Sequence, residues 1–181
     1  MATETSTKLT YEDYVNLPND GKRYEIIDGE LYVNPAPNIK HQKVAAKLFY
    51  ELYSFVKPRK LGEVFFAPCD VVLSEIDTLQ PDILFVSAAR MEIITRANVK
   101  GAPDLVIEVL SEGTRNYDET IKKKRYERFA VSEYWIVDID DDSVRVHRRV
   151  GTRFELVDAV ATITTPLLPG FTLAVHEIFA D

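Results

Sequence analysis

Leu105-Val106-Ile107-Glu108-Val109-Leu110 is the most hydrophobic run in the chain, and a single carboxylate interrupts it. The run is too short for a helix and bounded by polar residues, which predicts a largely buried strand. Side chains alternate along such a strand, so Asp104, Val106 and Glu108 share one face while Leu105, Ile107 and Val109 share the other. An ionised carboxylate on that buried face is costly unless a cation or a proton compensates it. Two explanations fit Glu108: a structural ion pair with a core Arg or Lys, or a position built to hold a cation.

Upstream, Pro81-Asp82-Ile83-Leu84-Phe85-Val86 repeats the situation, with an acid at the mouth of an apolar strand. Two such acids on neighbouring strands can share a hard divalent cation such as Mg2+ or Mn2+, whose usual shell is one or two carboxylates, water and a substrate phosphate. The plainer alternative is that Asp82 caps the strand after Pro81. Asp70 and Asp104 also stand beside strand starts and rank below Asp82 for the same role.

Further out, Tyr24 to Ile27 and Glu30 to Val33 flank Asp28-Gly29, a strong hairpin signal. Val44, Leu48, Leu52 and Phe55 recur at helical spacing from Ile39 to Val56, and Pro58 is expected to stop that helix. Val64 to Phe66 and Val71 to Leu73 read as strands around Pro68. Asn116 to Phe129 reads as a helix with acids first and bases last, the order that suits a helix dipole. Glu133 to Asp138, Val144 to His147 and Phe154 to Val157 read as further strands. Thr10 and Asp13 suggest a capping box on a short first helix.

The 181 residues suit one domain spanning 1–181, with 1–10 polar and expected to be flexible. The lone Cys69 excludes an internal disulfide and a sulfur-based metal site, and no secretory or membrane-spanning stretch is visible, which points to a cytoplasmic protein. A formal net charge of −7 argues against a binder whose affinity comes from overall charge. Basic residues nevertheless cluster in Arg115 to Arg128 and in Arg145 to Arg153, where Lys123, Lys124, Arg148 and Arg149 are candidates for contact with phosphates.

Pro81-Asp82 followed by Glu108-Val109-Leu110 resembles the PD-(D/E)xK nuclease superfamily, except that Leu110 stands where that pattern has lysine. The chain more closely resembles the bacterial restriction-endonuclease (Uma-type) family of that superfamily, in which the lysine has migrated to the following helix. The resemblance runs from Tyr24-Glu25-Ile26-Ile27-Asp28-Gly29-Glu30-Leu31 through His41, Tyr117-Asp118, Lys122 and Tyr126 to Glu133-Tyr134-Trp135-Ile136-Val137-Asp138. Of the three adjacent lysines, Lys122 shares a helical face with Tyr126, Phe129 and Ala130, the face expected to meet the sheet, while Lys123 and Lys124 turn away.

The resemblance implies an α/β (α+β), restriction-endonuclease-like fold: a mixed central β-sheet flanked by helices, with an additional N-terminal β-hairpin. It implies an endonuclease that hydrolyses DNA phosphodiester bonds, with Asp82 and Glu108 holding Mg2+ or Mn2+ and Lys122 assisting. Glu25, His41 and Tyr126 are supporting candidates, and a homodimer would allow both strands to be cut. Replacing Asp82, Glu108 or Lys122 by alanine is then expected to abolish cleavage and leave the fold native. The alternative is a nuclease-fold module that binds nucleic acid or a protein partner with little turnover; a hydrolase of a smaller phosphate ester is a third option.

Overall fold

The computed structural model describes residues 8–157 and 161–180. Helix α1 (Tyr11–Val15) starts at Thr10, where the Thr10 and Asp13 side chains cap each other's backbone amides as a capping box. Lys8, Leu9 and Thr10 are each hydrogen-bonded, while the rest of the stretch expected to be flexible lies outside the described residues. Strands β1 (Arg23–Ile27) and β2 (Glu30–Asn34) pair as a hairpin, with Asp28 and Gly29 both at positive φ, as a tight primed turn requires.

Helix α2 (Ile39–Arg59) is capped by Asn38, whose side chain accepts from the His41 amide. It runs one residue beyond Pro58 rather than stopping before it. In the last turn a proline disturbs little of the ladder, and Lys60 in the left-handed conformation closes the end by donating to the Val56 and Lys57 carbonyls.

The middle of the chain supplies β3 (Gly62–Phe66), β4 (Val71–Ser74), β5 (Asp77–Leu79), β6 (Ile83–Ser87), β7 (Val99–Lys100) and β8 (Leu105–Val109). A π-helical turn, Tyr117–Lys122, leads into α3 (Lys123–Arg128). The chain then forms β9 (Glu133–Asp138), β10 (Ser143–Val150), β11 (Arg153–Val157), β12 (Thr162–Thr164), β13 (Thr172–Ala174) and α4 (Val175–Phe179).

These strands form a six-stranded mixed sheet, β11-β10-β9-β8-β6-β3, and a five-stranded sheet, β2-β1-β5-β4-β7, with β12-β13 as a separate pair. The N-terminal hairpin is thus an edge of the second sheet. On one face of the larger sheet, Leu105, Ile107, Val109, Trp135 and Val137 pack against Val44, Leu48 and Leu52 of α2 and Ile178 of α4. On the other face, Val106, Tyr134 and Ile136 pack with Tyr126 of α3 and with Ile27 and Leu79 of the smaller sheet. The helical segment 117–128 therefore shares a core with both sheets, and Glu108 lies on that second face between Val106 and Leu110. No helix among the described residues is long and apolar enough to cross a membrane.

Candidate active site

Strands β6 and β8 run antiparallel with Ile83 opposite Ile107 and Leu84 opposite Val106. One residue further along that register, Asp82 stands across from Glu108, so the two carboxylates emerge on one face at one end of the pair. The register is locked there because the Val109 amide donates to Asp82 Oδ2 at 2.9 Å. His41, in the first turn of α2, brings its Nε2 to 3.1 Å from the same oxygen. Among the described residues Asp82 Oδ1 faces only the Arg23 guanidinium, at 3.7 Å. Burial pushes the Asp82 carboxyl up, but His41, the Val109 amide and Arg23 together outweigh it and hold the group below the usual carboxylate range.

Lys122 is buried, and its Nζ lies 3.2 Å from Glu108 Oε1, 3.1 Å from Glu25 Oε2 and 3.1 Å from Asp118 Oδ1. Glu25 comes from β1 of the smaller sheet and Glu108 from β8 of the larger, so one ammonium joins both sheets to the helical segment that carries it. Glu25 is held in turn by the Asn34 side chain at 2.7 Å and by the Gln80 amide at 2.6 Å. Tyr126 OH donates to Glu108 Oε1 at 3.0 Å.

Burial alone would push the Lys122 amine down, yet the surrounding carboxylates, Glu108 foremost, raise it well above its ordinary value. Burial raises the Glu108 carboxyl well above its ordinary value; Lys122 opposes this, while Asp118, Asp82 and Glu25 reinforce it. Asp118 is raised as well, chiefly by burial. The cluster thus holds more carboxylates than the one buried ammonium can neutralise, and burial shifts Glu108 and Asp118 toward the protonated form.

Asp82, Glu108 and Lys122 line one small cavity of about 20 Å3, together with Arg23, His41 and Thr114. That is room for roughly one water-sized occupant. The three principal candidates of the sequence are therefore neighbours, and Glu25, His41 and Tyr126 each touch one of them.

The other candidates lie elsewhere. Arg148 on β10 is paired with Glu133 Oε1 at 2.7 Å, and Arg149 donates to the Glu127 carbonyl at 2.7 Å, so both guanidinium groups are engaged near the opposite end of β9 from the cavity. Lys123 and Lys124 do not line the cavity, and Lys124 is exposed. Asp104 accepts from the Ser87 amide and pairs with Arg90, while Asp70 accepts from Tyr14 and Gln80. These partners explain both acids as structural.

Sequence reasoning missed the part played by Asp118 and Arg23. Asp118 was legible in principle, since an acid four residues before a lysine on a helix is a pairing signal. The expectation that Lys122→Ala leaves the fold native also needs correction, because removing this amine would strand Glu25, Glu108 and Asp118 in the interior.

By its fold, the molecule is an α+β protein with mixed sheets flanked by helices. It superposes with a TM-score of 0.79 on the crystal structure of a protein from Anabaena variabilis ATCC 29413 described as "a putative nuclease belonging to DUF820". The two are 21% identical, over 94% of this chain and 97% of the other. A family model narrows this: residues 11–176 match Uma2, described as "Putative restriction endonuclease", and the chain belongs to that family. A search of curated proteins finds no match.

Proposed function

We propose that this protein is a metal-dependent DNA endonuclease in which Asp82 and Glu108 hold Mg2+ or Mn2+ and Lys122 assists. The observation that carries this reading is the convergence of two carboxylates and one amine, from three separate segments, on a single cavity. The donor set fits such an ion. Glu108 Oε2 and Asp82 Oδ1 have no hydrogen bond among the described residues, while their companion oxygens are fixed by Lys122, Tyr126, His41 and Val109. Among the described residues no group of three or more His, Cys, Asp or Glu side chains is placed to hold a metal ion by itself. An ion held by Asp82 and Glu108 would therefore take the rest of its shell from water and a substrate phosphate.

Bound there, the metal would supply an acidified water and neutralise charge on the scissile phosphate. The protein's own part is orientation and field. His41 and the Val109 amide aim Asp82, while Lys122 and Tyr126 hold Glu108. Lys122 also keeps a fixed positive charge beside the cavity, where charge grows on the phosphate during cleavage. Arg23 is placed to take a non-bridging phosphate oxygen. Pairing of two copies and a cytoplasmic setting belong to the same proposal.

The threefold carboxylate contact of Lys122 favours a second reading, a nuclease-fold binding module in which the lysine is purely structural. Calorimetric titration with Mn2+, alongside nicking of supercoiled plasmid, separates the two. Wild-type protein should bind metal and nick, and Asp82→Asn and Glu108→Gln should each lose about a thousandfold in rate with native circular dichroism. Absence of metal binding to the wild type, or undiminished nicking in both variants, overturns the endonuclease.

A further inference from the structure

We infer that the groove beside Asp82 seats an unstacked nucleobase, so that the substrate is single-stranded DNA or a single-stranded stretch within a duplex; this rests on the nuclease reading above. The groove has a volume of about 380 Å3, within the range of roughly 300–1,000 Å3 found for small-molecule sites. Its walls are apolar, formed by Pro37, Ala45, Phe49, Phe66 and Pro68. Arg23, His41 and Asp82 line it as well, and with Pro37 they also line the carboxylate cavity, so groove and cavity adjoin. A nucleotide with its phosphate at the cavity would carry its base into the groove.

The aromatic rings are arranged for stacking. Phe66, at the end of β3, is 60% exposed. Its ring meets Phe49 edge-on at 4.8 Å, and Phe49 in turn stacks on Tyr53 at 5.4 Å, so a row of rings leads off the groove along α2. Base-on-aromatic stacking is tolerant of sequence, because every base has a π face. Gln42 at the rim adds an amide that can both donate to and accept from a base edge.

Charge points the same way. At a net −7 the molecule is poorly suited to grip a long duplex by its phosphates. On α2, Lys40 is paired with Asp142 and Lys47 with Glu51. Beside the phosphate contacts at the cavity, the apolar, aromatic groove offers a further source of affinity, and a base can reach it only when unstacked.

Fluorescence anisotropy with a labelled oligothymidylate tests this, using Ca2+ in place of Mg2+ to suppress cleavage. The single strand should bind about tenfold more tightly than its duplex with oligodeoxyadenylate. Phe66→Ala should lose about tenfold for the single strand and leave the duplex unchanged, and an abasic strand should bind the wild type as weakly as the normal strand binds Phe66→Ala. Because Phe66 is exposed, the substitution leaves the core intact. Phe66→Trp should keep the affinity and show indole quenching by the single strand, against a background of Trp135 alone, which is fully buried. Equal affinity for single strand and duplex, or an unaffected Phe66→Ala, overturns the inference. Intact Mn2+ binding with no preference for single strands refutes the groove alone, whereas loss of Mn2+ binding by the wild type refutes the nuclease reading itself.

Discussion

Glu108 and Glu133 sit on adjacent parallel strands, each 3% exposed or less, on opposite faces of the larger sheet, and their carboxylate oxygens are engaged differently. At the start of β9, Glu133 has both oxygens engaged: Arg148 Nε at 2.7 Å on one and Trp135 Nε1 at 2.9 Å on the other. Near the end of β8, Glu108 has two donors on Oε1 and none on Oε2 among the described residues, and it faces a cavity. A buried acid with its valence filled belongs to the fold. One with an oxygen left over beside a second such acid is positioned to bind a ligand, so burial identifies the interesting acids and hydrogen-bond accounting sorts them.

The sharpest way to break this comparison is to remove each acid's cation. Lys122→Ala should cost about 3–5 kcal/mol in denaturant unfolding, since three carboxylates lose their buried partner. Arg148→Ala, whose side chain is one-third exposed, should cost less than half as much. Near-equal losses would mean that the two ends are alike.

The Glu133 end also carries a pH signature. His147, between Tyr134 and Phe154, has its Nδ1 buried without a partner among the described residues. Burial first, then Lys123 and Arg145, pull it down to about 4 from an ordinary 6.5. Because the folded state disfavours the protonated ring, the contribution of this residue is fully present above pH 6.5. It drains away as the pH falls from about 6.5 to about 4. His147→Phe should flatten that slope in unfolding measured across the window, and an unchanged slope would refute the assignment.

The smallest effect discriminates most finely. Glu133→Gln should destabilise by about 1–2 kcal/mol, because it weakens a charge-assisted bond. Glu108→Gln should be neutral or slightly stabilising, because it removes one of several crowded carboxylates while keeping an acceptor for Tyr126 and Lys122. Thermal melts of the two variants read this directly, and a large loss in Glu108→Gln would make that acid structural.

Much of this was legible in the sequence because strand alternation and burial logic act locally. Glu108 stood out by interrupting an apolar run, Asp82 by heading another, and the Asp28-Gly29 hairpin by its turn chemistry. The contact between Glu25 and Lys122 was not legible, since it depends on how two sheets close over a helix. Strands such as β5 and β7 are too short to show a period, and so the second sheet, which delivers Glu25, went unseen. The helical phase placed Lys122 and Tyr126 on the buried side, but Ala130 is exposed and at positive φ, past the helix end. The pairings that engage Arg148 and Arg149 are likewise tertiary, and no count of local basic residues could reveal them.

The single ammonium that ties Glu25 to Glu108 gives the lineage an asymmetric path of decay. A copy of this gene released from selection for cleavage can lose Asp82 or Glu108 to an amide and still fold, whereas loss of Lys122 removes an ion pair that joins the two sheets and strands the carboxylates around it. Silent descendants should therefore be recognisable by a retained lysine facing missing acids.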